Sequence, residues 1–126
     1  ALDRAKFWLD TIGLTDLSNR SAGNLAYGQQ RRLEIARCMC TQPKILMLDE
    51  PAAGLNPKET EDLNNLIRQL RDQFDVSVLL IEHDMKLVMD ISDHIFVVNQ
   101  GTPLAEGKPA EVRDNPAVIK AYLGES

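Results

Sequence analysis

Two adjacent carboxylates follow a short apolar run near the middle of the chain. The run covers residues 45–48, and Asp49, Glu50 and Pro51 come directly after it. Such a run is typical of a buried parallel strand, and α/β sheets carry their chemistry at the carboxyl ends of such strands. Asp49 is suited to Mg²⁺, which commonly binds through one or two carboxylates. Glu50, beside it, adds a second carboxylate, although two adjacent acids also fit a solvated strand end.

A glycine near the start of a predicted helix forms a second candidate site. The segment is Leu25, Ala26, Tyr27, Gly28 and Gln29. The first turn of a helix leaves backbone N–H groups unpaired, and the helix dipole places positive charge there. A glycine lets the backbone approach an anion closely, so the segment predicts a contact with an anion. The same five residues also fit an ordinary helix start with a turn glycine.

A histidine follows the second strand that the sequence predicts. This strand covers residues 76–81, and His83 comes two residues after it. A strand, a helix and a second strand in this order indicate a parallel crossover, in which both strands end at one rim of the sheet. Asp49, Glu50 and His83 are therefore expected on the same rim.

The patterning of the chain predicts an α/β fold, with parallel strands, crossover helices, a C-terminal β-hairpin and short helices. Helical spacing of apolar residues predicts helices over residues 2–12, 28–41, 57–74, 85–91 and 116–123. Strands are predicted over residues 45–48, 76–81, 95–99 and 102–106, and a turn at Gln100 and Gly101 joins the last two. Asn56, Pro57 and Glu59 are typical of a helix start, with a cap, a proline at the first position and a carboxylate three residues after the cap.

The charge of the chain argues against a nucleic-acid partner. Its 14 Lys and Arg residues stand against 19 Asp and Glu residues, which gives a net charge of -5 at pH 7. A broad basic face is therefore not expected. Arg31, Arg32 and Arg37 alternate with Glu34 and are interpreted as a solvated helix face. The sequence has no run of about 18 or more apolar residues, so any membrane role is expected to come through a partner.

In their order along the chain, the motifs resemble those of ABC-type ATPase cassettes. Residues 25–29 are similar to the ABC signature motif, and residues 45–50 resemble a Walker B strand followed by a catalytic glutamate. His83 stands where the family has its switch histidine. A segment that resembles the D-loop follows Walker B and consists of Ala53, Gly54, Leu55 and Asn56.

This resemblance implies a fold and a role for each motif. The chain would be the C-terminal half of a P-loop NTPase-like ABC cassette, with residues 1–24 ending the helical subdomain and residues 25–126 forming the second half of the ATPase core. Asp49 would hold Mg²⁺, Glu50 would polarise the attacking water, and His83 would contact the γ-phosphate of ATP. The signature would reach the ATP held by the opposite subunit, and the D-loop would cross the dimer interface.

The chain departs from the commonest form of these motifs at three positions. Ala26 and Tyr27 stand where the family has serine and glycine, and Asn56 replaces the usual aspartate. Since Ala26 has no hydroxyl, any phosphate contact there is expected from the backbone and from Gly28. Asn56 caps a helix as well as aspartate does.

Finer details resemble the ATP-binding subunits of bacterial branched-chain amino-acid importers. These details are residues 51–57, residues 82–89 and the ending, residues 115–125. The resemblance implies ATP and Mg²⁺ as cofactors and a head-to-tail dimer with a second ATPase subunit. It also implies membrane-spanning permease partners, a substrate-binding protein that acts indirectly, and a cytoplasmic location on the inner face of the cell membrane.

The 126 residues contain no Gly-x-x-x-x-Gly-Lys-Ser/Thr phosphate loop. We therefore expect the Walker A half to be absent and the chain alone to be inactive. Three alternatives stay open. The first is half of a chromosome-maintenance ATPase, which would carry a long heptad-patterned helix before the signature. The second is a module that only presents the signature to a partner's ATP. The third is a metal-dependent phosphoesterase that uses Asp49, Glu50, His83 and Asp84.

Overall fold

The structure is a computed structural model that describes residues 2–17, 23 and 25–122. The chain divides into two compact units, Ala1–Ile81 and Glu82–Ser126. The domain boundary predicted near residue 24 stays a prediction, since residues 18–22 and 24 lie outside the described part of the chain.

The first unit contains a pair of parallel strands joined by a long helix. Its elements are α1 (Leu2–Thr11), a short 3-10 turn (Thr15–Leu17), α2 (Tyr27–Met39), β1 (Ile45–Asp49), α3 (Pro57–Gln73) and β2 (Ser77–Ile81). β1 and β2 pair in parallel, with Leu46 opposite Val78 and Asp49 opposite Ile81. The predicted order of strand, crossover helix and parallel strand is thus confirmed.

The two faces of this sheet differ in burial. Leu46 is only 4% exposed, whereas Ile45, Met47, Leu79 and Ile81 are 51–70% exposed. Side chains alternate between the faces of a strand, so the four exposed residues lie on one face. The prediction of fully buried strands is wrong for this structure, because the helices of the first unit cover only the other face.

The core of the first unit lies where its helices pack together and against the covered face of the sheet. α1 packs against α2, α2 against α3, and α3 against β2. The buried apolar residues are Trp8, Ile12, Leu14, Ile35, Ala36, Met39, Leu46, Leu63, Leu66, Ile67, Leu70 and Val76. This packing fixes the start of α2 beside the start of α3.

The start of α3 is capped as the sequence predicts. The Asn56 side chain accepts a hydrogen bond from the Glu59 N–H at 2.8 Å. Glu59 Oε1 in turn accepts from the Asn56 N–H at 3.0 Å. Pro57 occupies the first helical position, where its missing N–H leaves no helical bond unmade.

Replacing Asn56 with alanine is expected to destabilise the chain by about 1 kcal/mol, because the first turn of α3 then loses its side-chain acceptor. Urea unfolding measures this change. Asn56→Asp keeps an acceptor at the cap and is expected to unfold close to wild type. Equal losses in the two variants would show that the cap does not stabilise α3.

The second unit contains a hairpin covered by short helices. Its elements are α4 (Met85–Ile91), β3 (Ile95–Asn99), β4 (Thr102–Gly107), α5 (Pro109–Arg113) and α6 (Pro116–Tyr122). β3 and β4 are antiparallel, with a bulge beside Val97 and Val98. Buried side chains of the hairpin and the last two helices form one core cluster of the unit: Ile95, Val97, Val112 and Val118.

The hairpin turn confirms the predicted position at Gln100 and Gly101. Both residues have positive φ, 50° and 79°. Two-residue turns with two left-handed residues match the twist of hairpin strands. α5 is an element that the sequence reading did not anticipate. Among the described residues no helix combines the length and apolar character needed to cross a membrane.

Candidate functional site

The signature-like segment forms the start of α2, one residue earlier than predicted. Ala26 is extended, with φ of -60° and ψ of 154°, and Tyr27 begins the helix. Gln29 reaches back over the first turn, and its Oε1 accepts from the Ala26 N–H at 3.0 Å. Leu25 precedes the helix, and its carbonyl accepts from Gln30 Nε2 at 3.0 Å. Because Ala26 lacks a side-chain oxygen, it cannot cap the next N–H groups of the turn.

A carboxylate from another helix takes that capping role. The Gly28 N–H donates to Glu59 Oε2 at 3.0 Å. A Cβ atom built on Gly28 would lie 2.5 Å from the same oxygen, so a side chain at this position would displace the carboxylate. The sequence predicted a bound anion close to Gly28. In the structure the Glu59 carboxylate accepts from this N–H, and a contact with a phosphate stays a prediction.

Glu59 therefore joins the starts of α2 and α3 with one carboxylate. Its Oε1 accepts from the Asn56 N–H, and its Oε2 accepts from the Gly28 N–H. Both helix starts carry partial positive charge, and each stabilises an anion by about 0.3–1 kcal/mol at an exposed position. The carboxylate thus ties the signature-like segment to the D-loop-like segment.

Tyr27 strengthens the same connection. A Cβ atom built on Gly54, whose φ is 79°, would lie 3.0 Å from Tyr27 Cε1, so the ring lies against this glycine. Arg31 Nη2 donates to the Tyr27 hydroxyl at 2.6 Å, and its guanidinium carbon lies 5.0 Å from the ring centroid. The bulky Tyr27 side chain is therefore held on the D-loop-like segment.

The arginines of α2 correct the interpretation of a solvated helix face. Arg37 is exposed, but Arg31 and Arg32 are partly buried. Arg32 Nη1 donates to the Ile12 carbonyl at 2.9 Å. Arg31 and Arg32 thus contact groups within the first unit.

The carboxylate pair lies at the carboxyl end of β1, as predicted. Asp49 is the last residue of the strand, and both Asp49 and Glu50 are exposed. The Glu50 N–H donates to the Ile81 carbonyl at 2.7 Å, which extends the ladder between the strands by one bond. Glu50 has φ of 48°, an uncommon conformation for a residue other than glycine and one that clusters at functional sites.

The D-loop-like segment turns tightly between the carboxylates and α3. The Ala53 N–H donates to the Glu50 carbonyl and the Leu55 N–H to the Ala52 carbonyl, each at 3.1 Å. Pro51 is buried and Gly54 is left-handed, so the segment returns the chain to the cap of α3. The first unit thus places three of the predicted motifs close together along one path of hydrogen bonds.

His83 belongs to the second unit, two residues after β2 ends. Its backbone N–H donates to Glu82 Oε1 at 3.2 Å, and its side chain is exposed. Asp84 caps α4, since its Oδ1 accepts from the Leu87 N–H at 3.2 Å. A joint role of His83 with Glu50 stays a prediction.

Comparison with known proteins decides the family. A model of the ABC transporter family matches residues 1–53, and a model described as branched-chain amino acid ATP-binding cassette transporter matches residues 102–126. The chain is 71% identical over all 126 residues to the high-affinity branched-chain amino acid transport ATP-binding protein BraF of Pseudomonas aeruginosa. It is 70% identical over the same length to LivG of Escherichia coli, which carries the same description. The chain belongs to the ABC transporter ATP-binding family.

Solved structures of ABC cassettes agree with this assignment. An ATP-binding cassette in its ADP conformation superposes with a TM-score of 0.88 at 34% identity over 98% of this chain. A nucleotide-free cassette gives 0.86 at 33% identity. The predicted P-loop NTPase-like α/β fold is therefore confirmed. The chain spans 50% of each of these cassettes and 49% of BraF and of LivG.

The predicted site residues lie on several elements of the fold. The first unit brings together the segments that resemble the signature, Walker B and the D-loop. The sequence placed Glu59 at the start of α3 and Arg31 on a solvated face, but it did not predict their contacts with Gly28 and Tyr27. One signal was available for Glu59: a helix start with alanine at its cap needs an acceptor from elsewhere.

Replacing Gly28 with alanine tests the Glu59 contact directly. We expect a loss of about 1 kcal/mol, because a hydrogen bond to a charged group contributes about 1.5–3 kcal/mol and the higher helix propensity of alanine offsets up to about 1 kcal/mol. Urea unfolding of Gly28→Ala, Glu59→Ala and the double variant measures the coupling. In the Glu59→Ala background the glycine change should be neutral or stabilising. The same loss in both backgrounds would show that the two residues are independent.

Proposed function

We propose that this chain is part of the ATP-binding and ATP-hydrolysing subunit of an ABC importer for branched-chain amino acids, which couples hydrolysis to transport. The observation that carries the proposal is the 71% identity to BraF over all 126 residues. The matched length includes every motif of the site. The substrate class comes from the names of BraF and LivG.

Asp49 and Glu50 have different roles at the end of β1. Asp49 offers a single exposed carboxylate at a strand end, which fits an Mg²⁺ ion that keeps most of its ligands as water and nucleotide oxygens. Among the described residues no group of three or more potential ligands could hold a metal ion, so a cage made by the protein alone is not part of the proposal. Glu50 accepts the proton of the attacking water, and His83 contacts the γ-phosphate.

The start of α2 acts on a different nucleotide. The N–H groups of Tyr27, Gly28 and Gln29 stand at the positive end of the helix dipole. They contact the γ-phosphate of ATP bound by a second subunit in a head-to-tail dimer. The D-loop, residues 53–56, lies at the interface between the two subunits.

Another part of the cassette packs on the exposed face of the sheet. Ile45, Met47, Leu79 and Ile81 form a continuous apolar patch there, and burial of such a patch drives association. The relatives are about twice as long as this chain. We assign this face to the part of the cassette that carries the Walker A phosphate loop. Without that part, the 126 residues are inactive. Membrane-spanning permeases bind the assembled dimer on the inner face of the cell membrane, and the substrate-binding protein acts indirectly.

The experiment is ATP turnover after this chain is combined with a separately produced cassette half that carries the phosphate loop. We expect each half alone to be inactive and the mixture to release phosphate in the presence of Mg²⁺. A folded mixture without turnover contradicts the proposal. Turnover by this chain alone would favour the phosphoesterase alternative.

A further inference from the structure

Glu59 accepts a hydrogen bond from the same backbone N–H that, in the proposed function, binds a phosphate. The Gly28 N–H is the second N–H of α2, and at 3.0 Å it already donates to Glu59 Oε2. Gly28 is buried and Glu59 is half-buried, so the contact is partly shielded from solvent. A γ-phosphate that reaches this N–H must take the place of the carboxylate.

The second oxygen of Glu59 connects this event to the D-loop. Oε1 accepts a hydrogen bond from the N–H of Asn56, which is the last residue of the D-loop. If a phosphate displaces Oε2, Glu59 keeps its bond within its own helix and loses its bond to α2. Arrival of the phosphate therefore changes a contact shared by the signature and the D-loop.

We propose that Glu59 is a positioning residue whose carboxylate holds the signature helix start until the γ-phosphate of the partner subunit's ATP displaces it. This inference rests on the proposed function of the signature. Carboxylate and phosphate are both anions and compete for one N–H group, so Glu59 lowers the affinity of the site for ATP. In return, Glu59 keeps the buried Gly28 N–H bonded when no nucleotide is present.

Glu59→Gln is the variant that separates charge from shape. Glutamine keeps an oxygen that can accept one hydrogen bond, but it removes the negative charge. Because charge-assisted hydrogen bonds are roughly twice as strong as neutral ones, we expect the KM for ATP of the assembled ATPase to fall about three- to tenfold. The kcat should change less than about twofold. A residue with a merely structural role would raise KM or lower kcat when replaced.

Glu61→Gln is the matched control. Glu61 lies two residues away on α3, is exposed, and loses the same charge on substitution. The KM for ATP of the Glu61→Gln assembly should stay within about twofold of wild type, because exposed charges are screened by salt. A KM that is unchanged or raised in Glu59→Gln, with normal wild-type turnover, overturns the inference. A wild-type assembly without turnover overturns the proposed function and the inference together.

Amide hydrogen exchange at Gly28 tests the contact without any turnover. In the 126-residue chain, Glu59→Ala should speed exchange of the Gly28 amide, whereas Glu61→Ala should leave it at the wild-type rate. Equal exchange rates in wild type and Glu59→Ala would overturn the inference whatever the kinetics show.

Discussion

Replacing Glu50 with glutamine is expected to lower the kcat of the assembled ATPase by about 10²- to 10⁴-fold, the usual contribution of a positioned general base. The amide has nearly the same shape as the carboxylate but cannot take the proton of the attacking water. Phosphate release under saturating ATP and Mg²⁺ measures the loss.

The surroundings of Glu50 make this a clean test. The conformation of Glu50 is held by its backbone bond to Ile81, which glutamine retains. Nucleotide affinity should therefore stay near that of wild type. Glu61→Gln, an exposed change of the same charge, should keep full turnover. Undiminished turnover in Glu50→Gln would favour the alternative of a module that only presents its signature.

Replacing Leu70 with alanine is expected to lower the free energy of unfolding by about 2–5 kcal/mol. Leu70 is 0% exposed within the core of the first unit. The truncated side chain loses its burial and leaves a cavity that close-packed neighbours fill only in part. The urea midpoint of unfolding, at unchanged slope, measures the loss.

Leu79→Ala provides the matched control for the core. Leu79 carries the same side chain on β2, but it is 51% exposed on the uncovered face of the sheet. In this chain Leu79→Ala should lower the free energy of unfolding by less than about 1 kcal/mol, as for most surface positions. Similar losses at both positions would contradict the assignment of covered and exposed faces.

Local signals in the sequence predicted much of this fold. Helix periodicity found α3, and the cap Asn56 with Pro57 located its start. The apolar runs found β1 and β2, and the two-residue turn found the hairpin. Each of these signals acts over a few residues, so it can be recognised without knowledge of the tertiary fold.

Other features depend on distant parts of the chain and could not be predicted. α5 has five residues, which is too short for a helical period to show. An apolar run alone does not tell whether one or both faces of a strand are covered. The Gly28 contact joins residues 31 positions apart. Tertiary packing decides which acceptor completes the start of α2.

We propose that this chain serves two ATP sites, its own through Glu50 and its partner's through Gly28. Mixing two inactive variants of the assembled ATPase tests it most directly. Glu50→Gln disables the base, and Gly28→Asp puts a carboxylate at the start of α2. A mixed dimer would then hold one intact site and one doubly disabled site.

The measurement is phosphate release by the two variants, alone and after mixing. Each alone should be inactive, and the mixture should recover about a quarter of the wild-type rate, because half of randomly formed dimers are mixed and each has one intact site of two. A mixture no more active than the sum of its parents would contradict the claim, since both residues would then act on the same nucleotide.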